Sequence, residues 1–400
     1  MAITIAYLLL NSSGDSTTGA LLWNPGLGRS GPQGLGNWPL GERLVTRSPV
    51  CSYNEWDPLE EVVVGRLDGA MIPSKHLTVS FNIPRRLTGI YKLIAGLPYP
   101  GFVVRPAQRE LDEFIHILEA EGITVRRPAV TDFSVTYKTP HWKSKGFCAA
   151  CPRDGLLVVG DEIIETPMAW RSRYFEVDAY RPLLKEYTAG GAKWTTAPRP
   201  ELVDALYNHD YRLPEAGEPI PFVVNEYEPV FDAADFVRCG RDLFGIRSNV
   251  TNESGIHWLR IHLGDRFRIT LLETRCRQPM HIDSSLMPLA PGKLLVNPDY
   301  IDPSRLPPMF ASWDILIAPE PNPVPWRIPS MCSRWLSINV LMLDEKRVIV
   351  ERLQESLTKK LKDWGFEPIP CSFANYAPFG GSFHCATLDV RRSGELQSYF

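Results

Sequence analysis

A short structural unit recurs along this chain of 400 residues: an apolar strand, a tight polar turn and a second apolar strand. Clear copies lie at residues 156–164, 236–244 and 340–350, and weaker copies at 61–66 and 294–301. Residues 108–121 and 351–364 carry apolar side chains at helical spacing and predict helices between the strand units. Five strand–helix modules favour a radial α/β arrangement, in which the inner strands converge on a central channel.

Composition and charge limit the partners of this protein. The chain is 44% hydrophobic with a net charge of -3, so it can bury a large core. It lacks the positive charge expected of a protein that binds nucleic acid or an anionic membrane. No stretch reaches the roughly 18 apolar residues of a membrane span. The eight cysteines are scattered, with one Cys-x-x-Cys pair at Cys148 and Cys151, which indicates a reducing, cytoplasmic compartment more than a disulfide framework.

Residues 1–48 differ in composition from the rest of the chain. They are rich in glycine, proline and serine and have little periodicity, which predicts a poorly ordered N-terminal extension. Basic residues outnumber acidic ones there, so an organelle-targeting segment is the alternative interpretation. Residues 49–400 are predicted to form a single α/β domain.

Cys385 is the candidate nucleophile. It lies in the glycine-led apolar segment 381–390, which predicts a strand. Gly380 and Gly381 would let the backbone approach a ligand closely. His384 is adjacent, but neighbouring residues on a strand point to opposite faces, so we expect the partner of Cys385 to come from elsewhere in the fold. The alternative is a buried structural cysteine, since cysteine is among the most buried residue types.

Candidate partners lie in three other modules. His281 and Asp283 are two residues apart in an extended stretch, and residues i and i+2 share one face of a strand. Asp232 lies among small and apolar residues, where a carboxylate either caps a helix or orients a histidine. Asp154 is by itself typical of a turn, and His281 by itself is equally a surface residue near a turn. A radial fold would bring all four residues to Cys385.

Several longer motifs resemble those of the arginine:glycine amidinotransferases and occur here in the same order. They are SYNEWDPLEEV (52–62), PMAWRSR (167–173), FDAAD (231–235), PMHID (279–283) and FHC (383–385). The resemblance extends from about residue 50 to the C-terminus. It implies the five-module α/β-propeller known as the pentein fold, with a pseudo-fivefold arrangement around a central active-site channel, and a homodimer.

The resemblance also implies a role for each candidate residue. Cys385 is the nucleophile, His281 the acid and base, and Asp232 the carboxylate partner of the histidine. Asp154 and Asp283 hold a guanidinium group, which is planar, permanently charged and rich in N–H donors that carboxylates accept. The resemblance implies no metal ion and no organic cofactor.

The implied reaction moves the amidino group of L-arginine to an acceptor amine through an amidino-cysteine and releases ornithine. The acceptor is glycine or, as in relatives from bacterial natural-product pathways, a specialised amine. A guanidine hydrolase on the same fold is the alternative, because water can attack an amidino-cysteine as an amine does. A non-catalytic binding or scaffold protein is a third interpretation, which the presence of nucleophile, base and carboxylates disfavours.

Two positions depart from the family pattern where the amino-acid end of the substrate would bind. The family's Asn-Pro-Asp motif is followed by an arginine expected to pair with the donor α-carboxylate, whereas Tyr300 follows it here. Arg305 is the candidate replacement. The family's Ser-Ser-Lys-Trp has become Cys332-Ser333-Arg334-Trp335, so Cys332 replaces a hydroxyl next to Ser333. The proline-rich segment 303–329 is expected to form a stiff wall over the pocket. These changes indicate an altered substrate.

Overall fold

The computed structural model of this protein describes residues 48–324 and 330–400. The predicted extension, residues 1–48, lies outside the described residues except for its last residue. Ser48–Phe400 form one compact unit. Its described residues form five three-stranded β-sheets and one two-stranded hairpin. None of the described helices is both long enough and apolar enough to cross a membrane.

Each three-stranded sheet has the same connectivity. Two strands pair antiparallel, the chain crosses over the sheet, and a third strand pairs parallel with the second. In the first sheet the antiparallel partner is the last strand of the chain, which closes the ring. The strands are β1 Leu59–Val64, β2 Thr124–Arg126, β3 Tyr137–Lys138, β4 Lys143–Ser144, β5 Leu156–Val159, β6 Glu162–Glu165, β7 Lys193–Thr196, β8 Phe236–Cys239, β9 Asp242–Gly245, β10 Arg268–Leu271, β11 Leu286–Ala290, β12 Lys293–Val296, β13 Asp314–Ile317, β14 Leu341–Met342, β15 Arg347–Glu351, β16 Glu367–Cys371 and β17 Thr387–Arg392.

Helices supply four of the five crossovers in the described part of the chain. The helices are α1 Leu77–Ser80, α2 Thr88–Ile94, α3 Gly101–Ala120, α4 Pro152–Gly155, α5 Arg181–Ala189, α6 Glu253–Leu263 and α7 Glu355–Asp363. Helices α3, α5, α6 and α7 each lie between the second and third strands of a module. In the module of β11, β12 and β13, two short 3₁₀ helices, Pro303–Arg305 and Pro308–Ser312, take that place.

The tight hairpins follow from the sequence. Gly160 links the buried apolar strands β5 and β6 with φ +63°, a conformation that glycine adopts at no steric cost. Gly240 does the same between β8 and β9 with φ +69°. The strand units predicted at 156–164, 236–244 and 340–350 are confirmed.

Three strand predictions are wrong in their bounds. The hairpin predicted at 294–301 consists of β11 and β12, and residues 297–301 form a turn. Residues 61–66 contain only β1, because its antiparallel partner β17 lies at the other end of the chain. The strand predicted at 381–390 begins at Thr387, and residues 382–386 form a turn that contains Cys385.

The two predicted helices are present with different bounds. Helix α3 begins at Gly101, before the predicted residue 108, and continues through Pro106. It buries Leu111, Phe114 and Leu118, as their spacing indicates. Helix α7 is shorter than the predicted 351–364, because Glu351 is the last residue of β15.

The first strands of the five modules surround a common axis, which confirms the predicted five-module α/β-propeller. Charged side chains fill this axis. Arg238 from β8 lies 2.8 Å from Asp389 of β17 and 2.8 Å from Glu55, and Arg153 contacts the same two carboxylates. These buried charges are paired, as buried charges must be to be tolerated. The predicted channel is therefore closed by ion pairs on one side of the site.

Candidate active site

A turn precedes the first strand of every module, and these five turns meet at one end of the axis. Because the modules are related by pseudo-fivefold symmetry, the side chains just before each first strand point to a common place. Those side chains include Asp154 before β5, Asp232 before β8, Asp283 before β11, Asn339 before β14 and Cys385 before β17. The sequence predicted four of the five. Asn339 was missed, and its position two residues before β14 is the signal that could have identified it.

Cys385 is held by groups from two other turns. Its Sγ lies 3.2 Å from Nδ2 of Asn339 and 3.3 Å from Oδ2 of Asp283. Oδ1 of Asn339 accepts hydrogen bonds from the backbone N–H groups of His384 and Cys385, at 3.0 and 3.2 Å. The Cys385 side chain is 2% exposed. Asn339 therefore fixes both the turn and the position of the sulfur.

Gly381 is required by this arrangement. A Cβ at residue 381 would lie 2.2 Å from Cβ of Cys385 and 2.6 Å from its Sγ, which is closer than real Cβ contacts allow. Glycine therefore fits here, and a larger residue would displace the sulfur.

The thiol of Cys385 is protonated in the absence of substrate. Burial raises its pKa well above the ordinary value, and the negative charges of Asp283 and Asp154 raise it further. The nucleophilic thiolate therefore needs a positive charge to arrive beside the two carboxylates.

His281 lies on the opposite side of the pocket and is not in the extended conformation that the sequence suggested. Its φ of +63° is unusual for a residue with a Cβ. Its backbone N–H donates to Oδ1 of Asp235 at 2.9 Å, and its ring Nε2 lies 3.1 Å from Oδ2 of Asp232. The tight turn, and not alternation along a strand, aims the ring at the pocket.

The charge state of His281 is set by its carboxylate neighbours. Burial alone would lower its pKa, but Asp154, whose Oδ1 lies 3.7 Å from Nδ1, and the hydrogen-bonded Asp232 together raise it to about 10. At neutral pH His281 is therefore an imidazolium and can donate a proton. Burial raises the pKa of Asp232, and the hydrogen bond with His281 opposes that rise.

Asp235 is a carboxylate of the site whose role the sequence did not reveal beyond its place in the FDAAD motif. It is buried and accepts hydrogen bonds from Ser248 at 2.6 Å and from the backbone of His281 at 2.9 Å. Burial raises its pKa to about 7. Asp235 anchors the backbone of the histidine, whereas Asp232 contacts the ring.

One carboxylate oxygen of Asp154, which lines the pocket, accepts no hydrogen bond from the described residues. Its Oδ2 accepts from Arg173 at 2.7 Å, and Arg173 is in turn bound by both oxygens of Glu176. Oδ1 of Asp154 and Oδ1 of Asp232 are buried without a hydrogen-bond partner among the described residues. A buried acceptor without a donor is costly. The site therefore favours a ligand that carries several N–H donors and a positive charge.

The reactive atoms of Asp154, His281 and Cys385 lie within 4.8 Å of one another. A carboxylate, an imidazole and a thiolate are also donors that a divalent cation such as Zn²⁺ accepts. These three are the residues of the site that could hold a metal ion. The same compact arrangement can place a nucleophile, an acid and an anion around one planar carbon.

A cavity of about 530 Å³ opens above these groups, and Tyr300, Cys332 and Ser333 line it together with Asp283. The hydroxyl of Tyr300 lies 2.7 Å from Oγ of Ser333. These three residues therefore line the cavity, and their role in binding the amino-acid end of the substrate stays a prediction.

Arg305 is not in the lining of the cavity. Its side chain is 63% exposed and its guanidinium lies 2.5 Å from a carboxylate oxygen of Glu273. Three arginines line the cavity: Arg173, Arg275 and Arg277. The sequence predicted a substrate-binding role for none of them. Arg275 and Arg277 stand a few residues before His281, so their position in the chain could have pointed to them.

The proline-rich segment is not a single wall. Between residues 303 and 324 it forms the two 3₁₀ helices and strand β13, and these residues do not line the cavity. Pro325 and Pro329 lie outside the described residues. The lining begins again at Ser330 and continues through Met331 to Ser333.

No protein-family model matches this chain. Among the curated proteins that are similar to it over most of its length are two amidinotransferases. The L-arginine:L-lysine amidinotransferase of Pseudomonas savastanoi pv. phaseolicola is 51% identical over 358 residues, which are 90% of this chain and 98% of that protein. The mitochondrial glycine amidinotransferase of Xenopus tropicalis is 46% identical over 373 residues, which are 90% of this chain and 87% of that protein.

Solved structures are also similar to this chain. SxtG, an amidinotransferase from Microseira wollei in the saxitoxin biosynthetic pathway, matches with a TM-score of 0.86 at 57% identity, covering 88% of this chain and 100% of its own. DDAH from Pseudomonas aeruginosa, complexed with citrulline, matches with a TM-score of 0.52 at 16% identity, covering 83% of this chain and 99% of its own. That distant likeness shows the fold alone, so it gives the guanidine-hydrolase alternative no support.

Proposed function

This chain belongs to the amidinotransferase family, and we propose that it moves the amidino group of L-arginine to an amine that lacks an α-carboxylate, in a natural-product pathway. One observation carries the choice of acceptor. Where the family has an arginine, this protein has Tyr300, whose hydroxyl is engaged with Ser333. A neutral phenol cannot form the ion pair that the family's arginine is expected to make with the α-carboxylate of the donor, and an acceptor that enters the same pocket after ornithine has left would find no such ion pair either. The similarity to the saxitoxin-pathway enzyme, at 57% identity, supports the same choice.

The unpartnered Oδ1 of Asp154 supports a guanidinium as the donor group. In this proposal Asp154 and Asp283 hold the two edges of the planar cation above the sulfur of Cys385. The arriving positive charge offsets the two carboxylates that keep the thiol protonated. Substrate binding therefore favours release of the thiol proton to solvent in the cavity and places the thiolate under the guanidino carbon.

The two half-reactions then follow from one acid–base group. The thiolate adds to the guanidino carbon, the C–N bond to ornithine breaks, and His281 donates its proton to the departing amine, with Asp232 stabilising the ring. This step leaves an amidino group on Cys385. His281, now neutral, accepts a proton from the acceptor amine as that amine attacks the amidino carbon and the C–S bond breaks.

The α-carboxylate of arginine needs a cation that is not Tyr300. Arg275 and Arg277 are on the cavity lining at its more exposed side, and both side chains are about half exposed. In the proposal they receive the amino-acid end of the donor. The family resemblance further supports a homodimer, and the scattered cysteines support a cytoplasmic location.

The direct test is to incubate the protein with L-arginine and a panel of amines and to identify the products by mass. We expect ornithine, together with guanidino products of amines without an α-carboxylate and little product from glycine or lysine. Cys385→Ser is the control, and it should lose at least several hundredfold in turnover, about 4 kcal/mol of barrier. Efficient amidination of glycine would refute the proposed acceptor class. Citrulline in place of ornithine would refute transfer itself.

A further inference from the structure

Strand alternation predicted that the side chain of His384 faces away from Cys385. Because Cys385 lies in a turn and not in a strand, the neighbouring His384 side chain is free to face the same end of the axis. Its Nδ1 lies 2.9 Å from Oδ2 of Asp283, and its Nε2 lies 3.3 Å from Oε2 of Glu55. The residue is buried, and its backbone carbonyl accepts from Nε of Arg153 at 2.8 Å.

The two contacts of the ring fix its orientation. Carboxylates accept hydrogen bonds and do not donate them, so the ring of His384 is the donor toward these groups. The pKa of Asp283 and the pKa of Glu55 both lie below their ordinary values, despite burial, so both groups are ionised. Glu55 also binds Arg238 and Arg153, whereas Asp283 has its 2.9 Å contact with the ring of His384.

One carboxylate oxygen connects this histidine to the nucleophile. Oδ2 of Asp283 lies 2.9 Å from His384 and 3.3 Å from Sγ of Cys385. The direction of the hydrogen bond from His384 therefore decides how the Asp283 carboxylate is turned relative to the sulfur. Asp283 also lines the cavity, where the donor group would bind.

We propose that His384 is a positioning residue, held between Glu55 and Asp283, that sets the orientation of the Asp283 carboxylate for binding the guanidinium of the donor. The inference rests on the proposed role of Asp283. His384 does not touch the substrate in this arrangement, and it does not act as a base. It connects the ion pairs of the axis to one wall of the pocket.

Two substitutions separate this role from a structural one. In His384→Asn the amide nitrogen takes the place of Nδ1 and can still donate to Asp283. In His384→Gln the amide nitrogen takes the place of Nε2 and can reach Glu55 instead. Each variant keeps one of the two hydrogen bonds, so a purely structural role predicts similar losses in both.

We expect the Gln variant to raise the Michaelis constant for L-arginine and to lower kcat/KM by about tenfold to a hundredfold, while the Asn variant stays within about threefold of the native protein. Ornithine release is the assay, and thermal unfolding reports whether each variant is folded. Equal losses in the two folded variants would overturn the positioning role while leaving the proposed function intact. Absence of ornithine release from the native protein would overturn both.

Each folded variant tests the proposal by itself if the other does not fold. A Michaelis constant for L-arginine that stays unchanged in folded His384→Gln would contradict the positioning role. A rise of about tenfold in folded His384→Asn would contradict it as well.

Discussion

Neutralising Asp283 should have opposite effects on two reactions of the same sulfur. Asp283→Asn preserves the shape of the side chain and removes its negative charge. The carboxylate lies 3.3 Å from Sγ of Cys385, where it holds the pKa of the thiol up. The same charge is proposed to bind the guanidinium of the donor. The variant should therefore make the thiol more reactive toward a neutral reagent and less reactive toward arginine.

The distance gives the size of the first effect. Two unit charges 3.3 Å apart at an effective dielectric constant of about 20 interact by about 5 kcal/mol. That energy corresponds to a change of several thousandfold in the thiolate population, which is an upper limit. His384, bound to the same carboxylate, offsets part of this charge. We therefore expect the thiolate population near pH 7 to rise by at least about tenfold.

Alkylation by iodoacetamide measures the first effect, because this neutral reagent reacts with the thiolate and does not need the carboxylate for binding. The alkylation rate of Cys385 should rise at least about tenfold in Asp283→Asn, whereas ornithine release should fall by about a hundredfold or more. Asp299→Asn is the matched control, since Asp299 lines the same cavity but pairs with Arg334. It should leave the alkylation rate within about twofold.

An alkylation rate that stays constant or falls in Asp283→Asn would refute this reasoning. It would mean that the carboxylate does not govern the protonation of the thiol, even though the two groups are in contact. A rise in alkylation without any loss of ornithine release would instead remove Asp283 from the proposed donor site.

Three further substitutions test the substrate end of the pocket and the acid–base group. Tyr300→Arg should raise the use of glycine as acceptor by at least about tenfold, because one charge-assisted ion pair is worth about 1.5–3 kcal/mol. Arg305→Ala should leave the Michaelis constant for arginine within about twofold, since its partner is an exposed carboxylate outside the cavity. Asp232→Asn should move the alkaline limit of turnover to lower pH, because the pKa of His281, about 10 with this carboxylate present, would fall toward its ordinary value near 6.5. An unchanged alkaline limb would show that His281 is not the proton donor.

The fold could be predicted where its pairings are local. Both strands of the hairpin at 156–164 lie side by side in the sequence, and the turn glycine marks the point of reversal. The first sheet was different, because β1 pairs with β17 and no local pattern reports a contact between the two ends of a domain. The hairpin of β11 and β12 was misplaced because Pro288 lies inside the first strand, where a proline argues against a strand.

The site could be predicted as a set of residue types more easily than as a set of conformations. His281 and Asp283 do share one pocket, but the positive φ of His281 brings them there and not strand alternation. Asn339 carries no charge and is no nucleophile, so a search for reactive groups passes over it. Its two hydrogen bonds to the turn of Cys385 become visible only in three dimensions.

The placement of these residues explains how substrate choice can change while the chemistry does not. The reactive groups all lie in turns that precede the first strands, where buried ion pairs of the axis hold them. Tyr300, Cys332 and Ser333 lie elsewhere, in the connections that follow β12 and β13, and line the cavity, whereas Asn339 and Asp283 contact the sulfur of Cys385 directly. A change in those connections alters which molecule fits, and it leaves the sulfur, the imidazolium and the carboxylates where they are. Substitutions at Tyr300 should therefore change the acceptor preference and leave the rate of Cys385 alkylation unaffected.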